Sequence, residues 1–307
     1  MQINRLTIRH LRLVAAILRE GNLVRAAASL NMTQSAVTKA LHETEQSLQT
    51  ALFSRTNRGT VPTPAGEMLG VHARLILSQL DSAAQELTDL HDGTGGRIAI
   101  GTLIAASGLL LPNAILALQR LRPRLVIKVV EGTNDVLLPA LRCGELDMVI
   151  GRQPEFGLRD GFVHEFLMHD VARIVVRAAH PLVGARHVTL ADLLEWPWIM
   201  PGYETTLRRQ IEATLRTASL DLPKRCVESV SFLINRALLL EDDYIGVWPT
   251  SVARVETDMG FIHVLPVDLP ATSHPIGVTL NPAVRMRPAA QIFLDTLRDE
   301  AGKSLAI

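Results

Sequence analysis

Over the first fifty residues, apolar side chains recur at helical spacing in three blocks separated by short polar turns. Leu11, Val14, Ala15 and Leu18 fall on one face of a first helix, and Gly21 is suited to ending it. Asn22 can cap a second helix whose stripe is Leu23, Ala26, Ala27 and Leu30. The small alanines let another helix approach at the sharp angle of a helix-turn-helix, where larger side chains would hold the axes apart. After Asn31 and Met32, Thr33 can cap a third helix running to about Leu48. Its inward stripe is Val37, Leu41, Thr44 and Leu48, which leaves Gln34, Ser35, Thr38, Lys39 and His42 displayed on the other side.

Those displayed groups can read DNA: an amide suits an adenine edge, hydroxyls reach bases or phosphates, and Lys takes guanine or phosphate. Periodicity alone leaves a second reading open, the solvated face of an ordinary three-helix bundle. Leu52 and Phe53 then anchor the helix end, and Arg55, Thr56, Asn57, Arg58, Gly59 and Thr60 form a basic turn before the extended Val61, Pro62 and Thr63. The turn reads as a wing that lays Arg55 and Arg58 along the DNA backbone or minor groove, or as a surface loop with stray charges.

From Pro64 to about 91 nothing breaks a long helix, and Leu69, Ala73, Ile76, Leu80, Ala83, Leu87 and Leu90 are spaced alternately four and three apart. That is the seam of a two-helix coiled coil, although a core helix packed on its own chain could carry the same pattern. Asp92 to Gly96 is glycine-rich and reads as a flexible joint.

Beyond residue 97 the pattern changes to short apolar strands alternating with helices: strands at 98–103, 125–130 and 148–150, helices at 109–121 and 136–146. A second unit begins with a strand at 172–176 and has helices near 207–215 and 232–240, and a tail adds a strand at 276–280 and a last helix from Pro288. Such alternation predicts an α/β domain with parallel sheets. Ligands in such sheets sit beyond the carboxyl ends of strands, where helix N-termini present free N–H groups. By that rule the candidates are Thr102, Leu103, Thr133 and Asn134 in the first unit, and Tyr203, Thr205, Ser229, Ser231 and Trp248 in the second. For each hydroxyl the plain alternative is a helix cap. Arg152, just past a strand, could pair with an acid or be a surface charge.

Composition narrows the classes. The chain has 307 residues, 48% hydrophobic and 20% charged, which suits a folded protein of more than one domain. Net charge is zero, but residues 1–66 hold eight basic against three acidic residues, and residues 67–92 hold five acidic against Arg74 alone. A basic N-terminal module points toward nucleic acid. Arg5, Arg9, Arg12 and Arg19 interrupt any signal peptide, and no apolar run suffices for a membrane span, so the expected location is the cytoplasm. Cys143 and Cys226 are too few for a disulfide framework or a metal finger. No GxSxG, GxGxxG, phosphate-loop or HExxH motif occurs and the ten histidines are scattered, so neither an enzyme nor a cofactor or metal is expected.

The segment AAASLNMTQSAVTKALHETEQSL, followed by Leu52-Phe53 and SRTNRGTVPTPAG, resembles the LysR-type transcriptional regulators. That family has the same order of alanine-rich helix, Thr-Gln turn, recognition helix, Leu-Phe anchor, Arg-rich wing and Thr-x-x-Gly helix start. Ser35 departs from it, since many members carry proline there. The resemblance implies a winged helix-turn-helix at 1–63 with Gln34, Ser35, Thr38 and Lys39 facing the groove and Arg55 and Arg58 on the wing. It also implies a linker helix at 64–92 that dimerises through Leu69, Ala73, Ile76, Leu80, Ala83 and Leu87. EGTNDVLLPALRCGELDMVIG at 131–151, the His180-Pro181-Leu182 turn and the strand at 196–200 extend the likeness to a two-lobed effector domain at 93–307, laid out like a periplasmic binding protein. One lobe would be about 97–168 plus 270–307, the other about 169–269. The partners implied are double-stranded DNA, a small-molecule effector such as a carboxylate or sugar, and further copies of the chain, commonly in tetramers. The branch it most resembles regulates aromatic-acid and sugar catabolism. The rival reading is a cytoplasmic solute-binding or enzymatic α/β domain fused to a helical interaction module.

Overall fold

The computed structural model describes residues 6–56, 59–92, 96–153 and 161–304. Two compact units are present, the first spanning residues up to 94 together with 142–145, the second the remainder.

The first unit begins with α1 (Ile8–Glu20), α2 (Leu23–Ser29) and α3 (Gln34–Leu48), followed by a hairpin of β1 (Phe53–Thr56) and β2 (Gly59–Pro62) and the long α4 (Pro64–Asp92). Each short helix starts on a side-chain cap: Thr7 accepts from the His10 amide, Asn22 from those of Val24 and Arg25, and Thr33 from that of Ala36. Gly21 ends α1 at φ 61°, a left-handed turn that glycine adopts without strain. The buried stripe of α1 is broader than the spacing suggests, with Leu13, Ala16 and Ile17 joining Leu11 and Val14. The reason is that α1 is sandwiched: Leu13, Ala16 and Ile17 pack with Leu23, Ala26, Ala27, Val37 and Leu41, while Val14 packs with Leu48, Leu52 and Leu69.

The second unit contains two five-stranded sheets. In chain order its elements are β3 (Arg97–Thr102), α5 (Ile104–Ser107), α6 (Leu110–Leu121), β4 (Val126–Glu131), α7 (Asn134–Arg142), β5 (Met148–Arg152), β6 (Val163–Asp170), β7 (Ala172–Arg177) and α8 (Leu190–Leu193). There follow β8 (Trp198–Met200), α9 (Thr206–Thr217), β9 (Cys226–Glu228), α10 (Phe232–Glu241), β10 (Ile245–Pro249), α11 (Thr250–Asp258), β11 (Ile262–Val264), β12 (His274–Leu280) and α12 (Pro288–Ser304). The strand orders are β4-β3-β5-β12-β6 and β9-β8-β10-β7-β11, so the two sheets repeat one plan.

Each sheet is mixed, where parallel sheets were expected. Strands β4, β3 and β5 are parallel, as are β9, β8 and β10, but β12 and β6 run antiparallel to their neighbours, and so do β7 and β11. The cause is the double crossing. The chain leaves the first sheet on β6, enters the second on β7 and returns on β12 after a turn at Pro270–Thr272, so each sheet accepts one strand of the opposite sense, β12 in the first and β7 in the second. Strand β6 was not foreseen, because Val163 to Asp170 mixes His164, Glu165 and His169 into a half-exposed edge strand. The helix expected at 136–146 is α7, which ends at Arg142, and Gly144 follows at φ 71°.

Both faces of each sheet are covered. Ile98, Ile100, Met148 and Ile150 bury against Leu111, Leu118, Phe293 and Leu297 of α6 and α12, while Ala99 and Val149 meet Leu137 and Leu141 of α7. In the second sheet Ile174, Val176, Trp198 and Ile245 pack on Ile211 and Leu215 of α9, with Val175 and Trp248 on the opposite side beside Leu239 and Val252.

One close approach in the first unit is open to test. A Cβ on Gly66 would strike the Leu52 carbonyl oxygen, which is backbone and cannot swing aside. Gly66→Ala is expected to cost about 1–3 kcal/mol of stability, as overpacking does. Urea unfolding checks this, and an unchanged midpoint would show that the approach is not a constraint.

Candidate nucleic-acid interface and ligand cleft

The division of α3 into two faces is sharp. Val37, Leu41, Thr44 and Leu48 are buried, and the Thr44 hydroxyl donates to the Ala40 carbonyl at 2.7 Å, so even the polar member of the stripe is satisfied internally. Gln34, Ser35, Lys39 and His42 are exposed and Thr38 is half-buried. Together these five line an open groove of about 740 Å³, whose other wall includes Leu23, Phe53 and Thr60. Lys39 stays 80% exposed, 3.9 Å from Glu43, a contact too long and too wet to hold it.

The hairpin is fastened beside this groove by groups that spacing arguments overlooked. A single carboxylate oxygen of Glu45, on α3, accepts the backbone N–H groups of Leu52 at 2.7 Å and Phe53 at 3.1 Å. The Thr60 N–H reaches the Gly21 carbonyl at 3.3 Å, tying β2 to the turn between α1 and α2. Thr63 donates its hydroxyl to the Ala51 carbonyl and accepts the Gly66 N–H, which explains the Thr-x-x-Gly start of α4. Arg55 occupies β1 opposite Thr60, and Arg58 lies outside the described residues.

The expected coiled-coil seam divides in two. Leu69 is half-buried against Val14, Leu48 and Leu52, and Ala73 is fully buried within its own chain, so Ala73 has no surface left for a partner helix and Leu69 only part of one. Ile76, Leu80, Ala83 and Leu87 continue the same row in exposed positions.

In the second unit the candidate ligand residues scatter in role. Thr102 is buried at the end of β3, its hydroxyl 3.4 Å from that of Ser107, and Leu103 opens α5. Thr133 lies beyond the end of β4, where its carbonyl accepts the Leu137 N–H, and Asn134 is the first residue of α7. Thr205 caps α9 and Ser231 caps α10, while Ser229 accepts the Ser231 N–H. Tyr203 is exposed, with the Arg208 guanidinium 4.0 Å from its ring centre. Trp248 is 3% exposed and packs at a tilt against Phe232, ring centres 5.1 Å apart, so its ring belongs to the lobe core. Among the described residues no hydrogen bond joins the candidates of one lobe to those of the other.

Arg152, which is neither a surface charge nor open to solvent, ties the lobes at the crossings, and a second contact between them is the Ser251 hydroxyl donating to the Ala105 carbonyl at 2.9 Å. At the end of β5 and 5% exposed, Arg152 donates through Nη2 to Asp170 Oδ2 at 3.2 Å and through Nη1 to Gln210 Oε1 at 2.8 Å and the Thr272 carbonyl at 3.1 Å. The other Asp170 oxygen accepts the Thr250 N–H. Gln210 continues to His274, whose Nε2 donates to the Gln153 carbonyl. Burial pushes the Arg152 guanidinium below its ordinary range and the Asp170 carboxyl above its own, and each charge opposes the other's shift. The sequence signal was thin: one Arg after a strand and one Asp at a crossing, 18 residues apart.

A three-helix head with a winged hairpin, a long helix and a twice-crossed two-sheet domain together define a ligand-responsive DNA-binding regulator. Residues 8–67 match the bacterial regulatory helix-turn-helix protein, lysR family, and residues 91–302 match the LysR substrate binding domain. The HTH-type transcriptional regulator GbpR of Azospirillum brasilense is 36% identical over 96% of this chain and 86% of its own. PcaQ of Agrobacterium fabrum is 30% identical over 97% of this chain and 96% of its own. Among solved structures, the LysR family regulator CbnR shares the fold at a TM-score of 0.67 and 19% identity, covering 96% of this chain and 99% of that one. The chain belongs to the LysR family of transcriptional regulators. It is a regulator and not an enzyme, which removes the enzymatic rival.

Removing one member of a buried ion pair strands the other. Arg152→Met is therefore expected to destabilise the protein by about 3 kcal/mol, and adding Asp170→Leu should restore much of the loss. Chemical denaturation of Arg152→Met, Asp170→Leu and the double variant checks this; additive losses would show that the two groups are not coupled.

Proposed function

We propose that the chain binds promoter DNA in the cytoplasm as a dimer or tetramer and changes its grip on that DNA when a small carboxylate or sugar enters a cleft between two lobes. The observation that carries the DNA half is the exposed groove face of α3, where Gln34, Ser35, Thr38 and Lys39 stand free of the core beside the hairpin. Arg55 and Arg58 belong to the same proposal as backbone contacts of the wing. One solved protein of the same fold, CbnR, is complexed with its target DNA. Pairing is assigned to the exposed Ile76, Leu80, Ala83 and Leu87, with the tetramer taken from the family resemblance.

The division proposed is 1–63 for the DNA head, 64–92 for the linker and 93–307 for the effector domain, with lobes of about 97–168 plus 270–307 and 169–269. The change of sheet between Asp170 and Ala172 supports those lobes. Thr102, Leu103, Thr133 and Asn134 on one side and Tyr203, Thr205, Ser229 and Ser231 on the other are the proposed effector contacts. Hydroxyls, amides and helix N-termini suit a carboxylate or a sugar, the chemistry of the branch that controls aromatic-acid and sugar catabolism. Effector and DNA are coupled by population shift: a ligand that favours one lobe arrangement changes the spacing of paired heads and hence the DNA bend.

Lys39→Ala is expected to weaken operator binding several-fold and to lower the slope of log affinity against log salt by about one, with folding unchanged. Electrophoretic mobility shifts over a salt series measure this, and equal affinity would remove Lys39 from the interface. For the effector, a thermal-shift series of aromatic acids, sugars and amino acids on the full chain should single out one class, since ligand at about 100 times its Kd adds about 2.7 kcal/mol. No stabilisation by any acid or sugar would overturn the effector class.

A further inference from the structure

Helix α9 touches two places that regulation has to connect. Its N-terminus, capped by Thr205, lies just past the end of β8, where the ligand is proposed to sit. Gln210, five residues further along and about 7.5 Å by helical rise, is bonded to the Arg152 guanidinium of the other lobe. The helix is held rigidly in its own lobe: Ile211 and Leu215 are buried in the core, and Arg208 binds the Pro201 carbonyl, Glu212 and Glu228.

Both crossings also end on this cluster. Arg152 takes Asp170 at the end of the outgoing strand and the Thr272 carbonyl in the turn before the returning one. Gln210 reaches His274, the first residue of β12, at 3.0 Å. Thr272 in turn accepts the Ala172 N–H through its hydroxyl, clasping one crossing to the other. A displacement of α9 relative to the first sheet must therefore break the Arg152–Gln210 bond or drag a crossing with it. The buried Arg152 Nε has no hydrogen-bond partner among the described residues, so the guanidinium is held in this arrangement with one donor unsatisfied.

We propose that Arg152 and Gln210 form a latch that sets the angle between the lobes without ligand, and that α9 transmits ligand binding at its N-terminus to this latch. This rests on the reading of a ligand between the lobes but adds the element that couples it to the hinge. Opening the latch without ligand should move the protein toward its other arrangement.

The test uses the full chain with Gln210→Met, which nearly conserves volume and removes the hydrogen bonds, and with Gln210→Glu, which keeps an oxygen acceptor for Arg152 and gives up only the amide donor to His274. Hydrogen exchange is followed at the Ala172 amide, bonded to the Thr272 hydroxyl, and at the Thr250 amide, shared between the Val171 carbonyl and Asp170 at the crossing. Gln210→Met is expected to exchange about tenfold faster there with its thermal midpoint nearly unchanged, and Gln210→Glu to exchange like the parent. On promoter DNA, the ligand-free Gln210→Met protein should give an altered footprint or bend. Unchanged exchange in Gln210→Met, or equal acceleration in both variants, overturns the latch. Faster exchange with an unaltered footprint overturns its control of DNA. If the parent binds no promoter DNA, it is the regulator reading that fails, and the exchange measurement still decides the latch.

Discussion

A helix can offer chemistry to a partner only when its other side is wholly spent on its own chain, and α3 meets that condition with Val37, Leu41, Thr44 and Leu48. The polar member matters as much as the apolar ones. By returning its hydroxyl to the Ala40 carbonyl, Thr44 lets the stripe be buried with no unpaired donor. The orientation of Gln34, Ser35, Thr38 and Lys39 is then a geometric consequence of core packing. Glu45 extends the same logic beyond the helix, because its carboxylate sets the first two amides of the hairpin and so fixes where the wing stands relative to the groove.

The effector domain faces a different constraint. Two crossing segments carry backbone and charged groups into a place with little access to water, and each needs a partner there. Arg152 and Asp170 supply several partners at once, at the expense of desolvating both charges. Such pairs are poor sources of stability, yet their geometry is particular, since a guanidinium fork accepts few alternative arrangements. The cluster thus favours one lobe angle over its neighbours more than it deepens the fold.

The three helices of the head, the wing and the long fourth helix were legible in the sequence because caps and stripes act locally: Asn22, Thr33 and Pro64 stand within one turn of what they organise. The alternating strands and helices of the larger domain were legible for the same reason. Less so were features whose partners lie far along the chain. The family resemblance implied the double crossing, but the reversed sense it gives β12 beside β5 is recorded by no local pattern, and β6 carries the histidines and acids of an edge. Arg152 looked like a surface charge because Asp170, Gln210 and Thr272 approach it only after folding. Trp248 was placed at a strand end correctly, but strand position does not tell which side of the sheet its ring takes, and Phe232 draws it into the core.

Helix α4 shows how residue size along one stripe separates two kinds of packing. Gly66, Gly70 and Ala73 come first, and added Cβ atoms at the two glycines would strike the Leu52 carbonyl and the Leu18 side chain. There the backbone of α4 itself lies against the head. From Ile76 onward the same row holds Ile76, Leu80, Ala83 and Leu87, of which the three large residues stand 42–69% exposed. Small residues suit an approach within one chain whose depth is set by backbone contact, and large aliphatic ones suit knobs that enter the holes of a second helix. A single heptad reading over the whole helix merges these regimes. The switch between Ala73 and Ile76 marks where this row leaves the head, while another side of the helix stays in contact with its own chain through the bond from Ser78 to the Gly144 carbonyl.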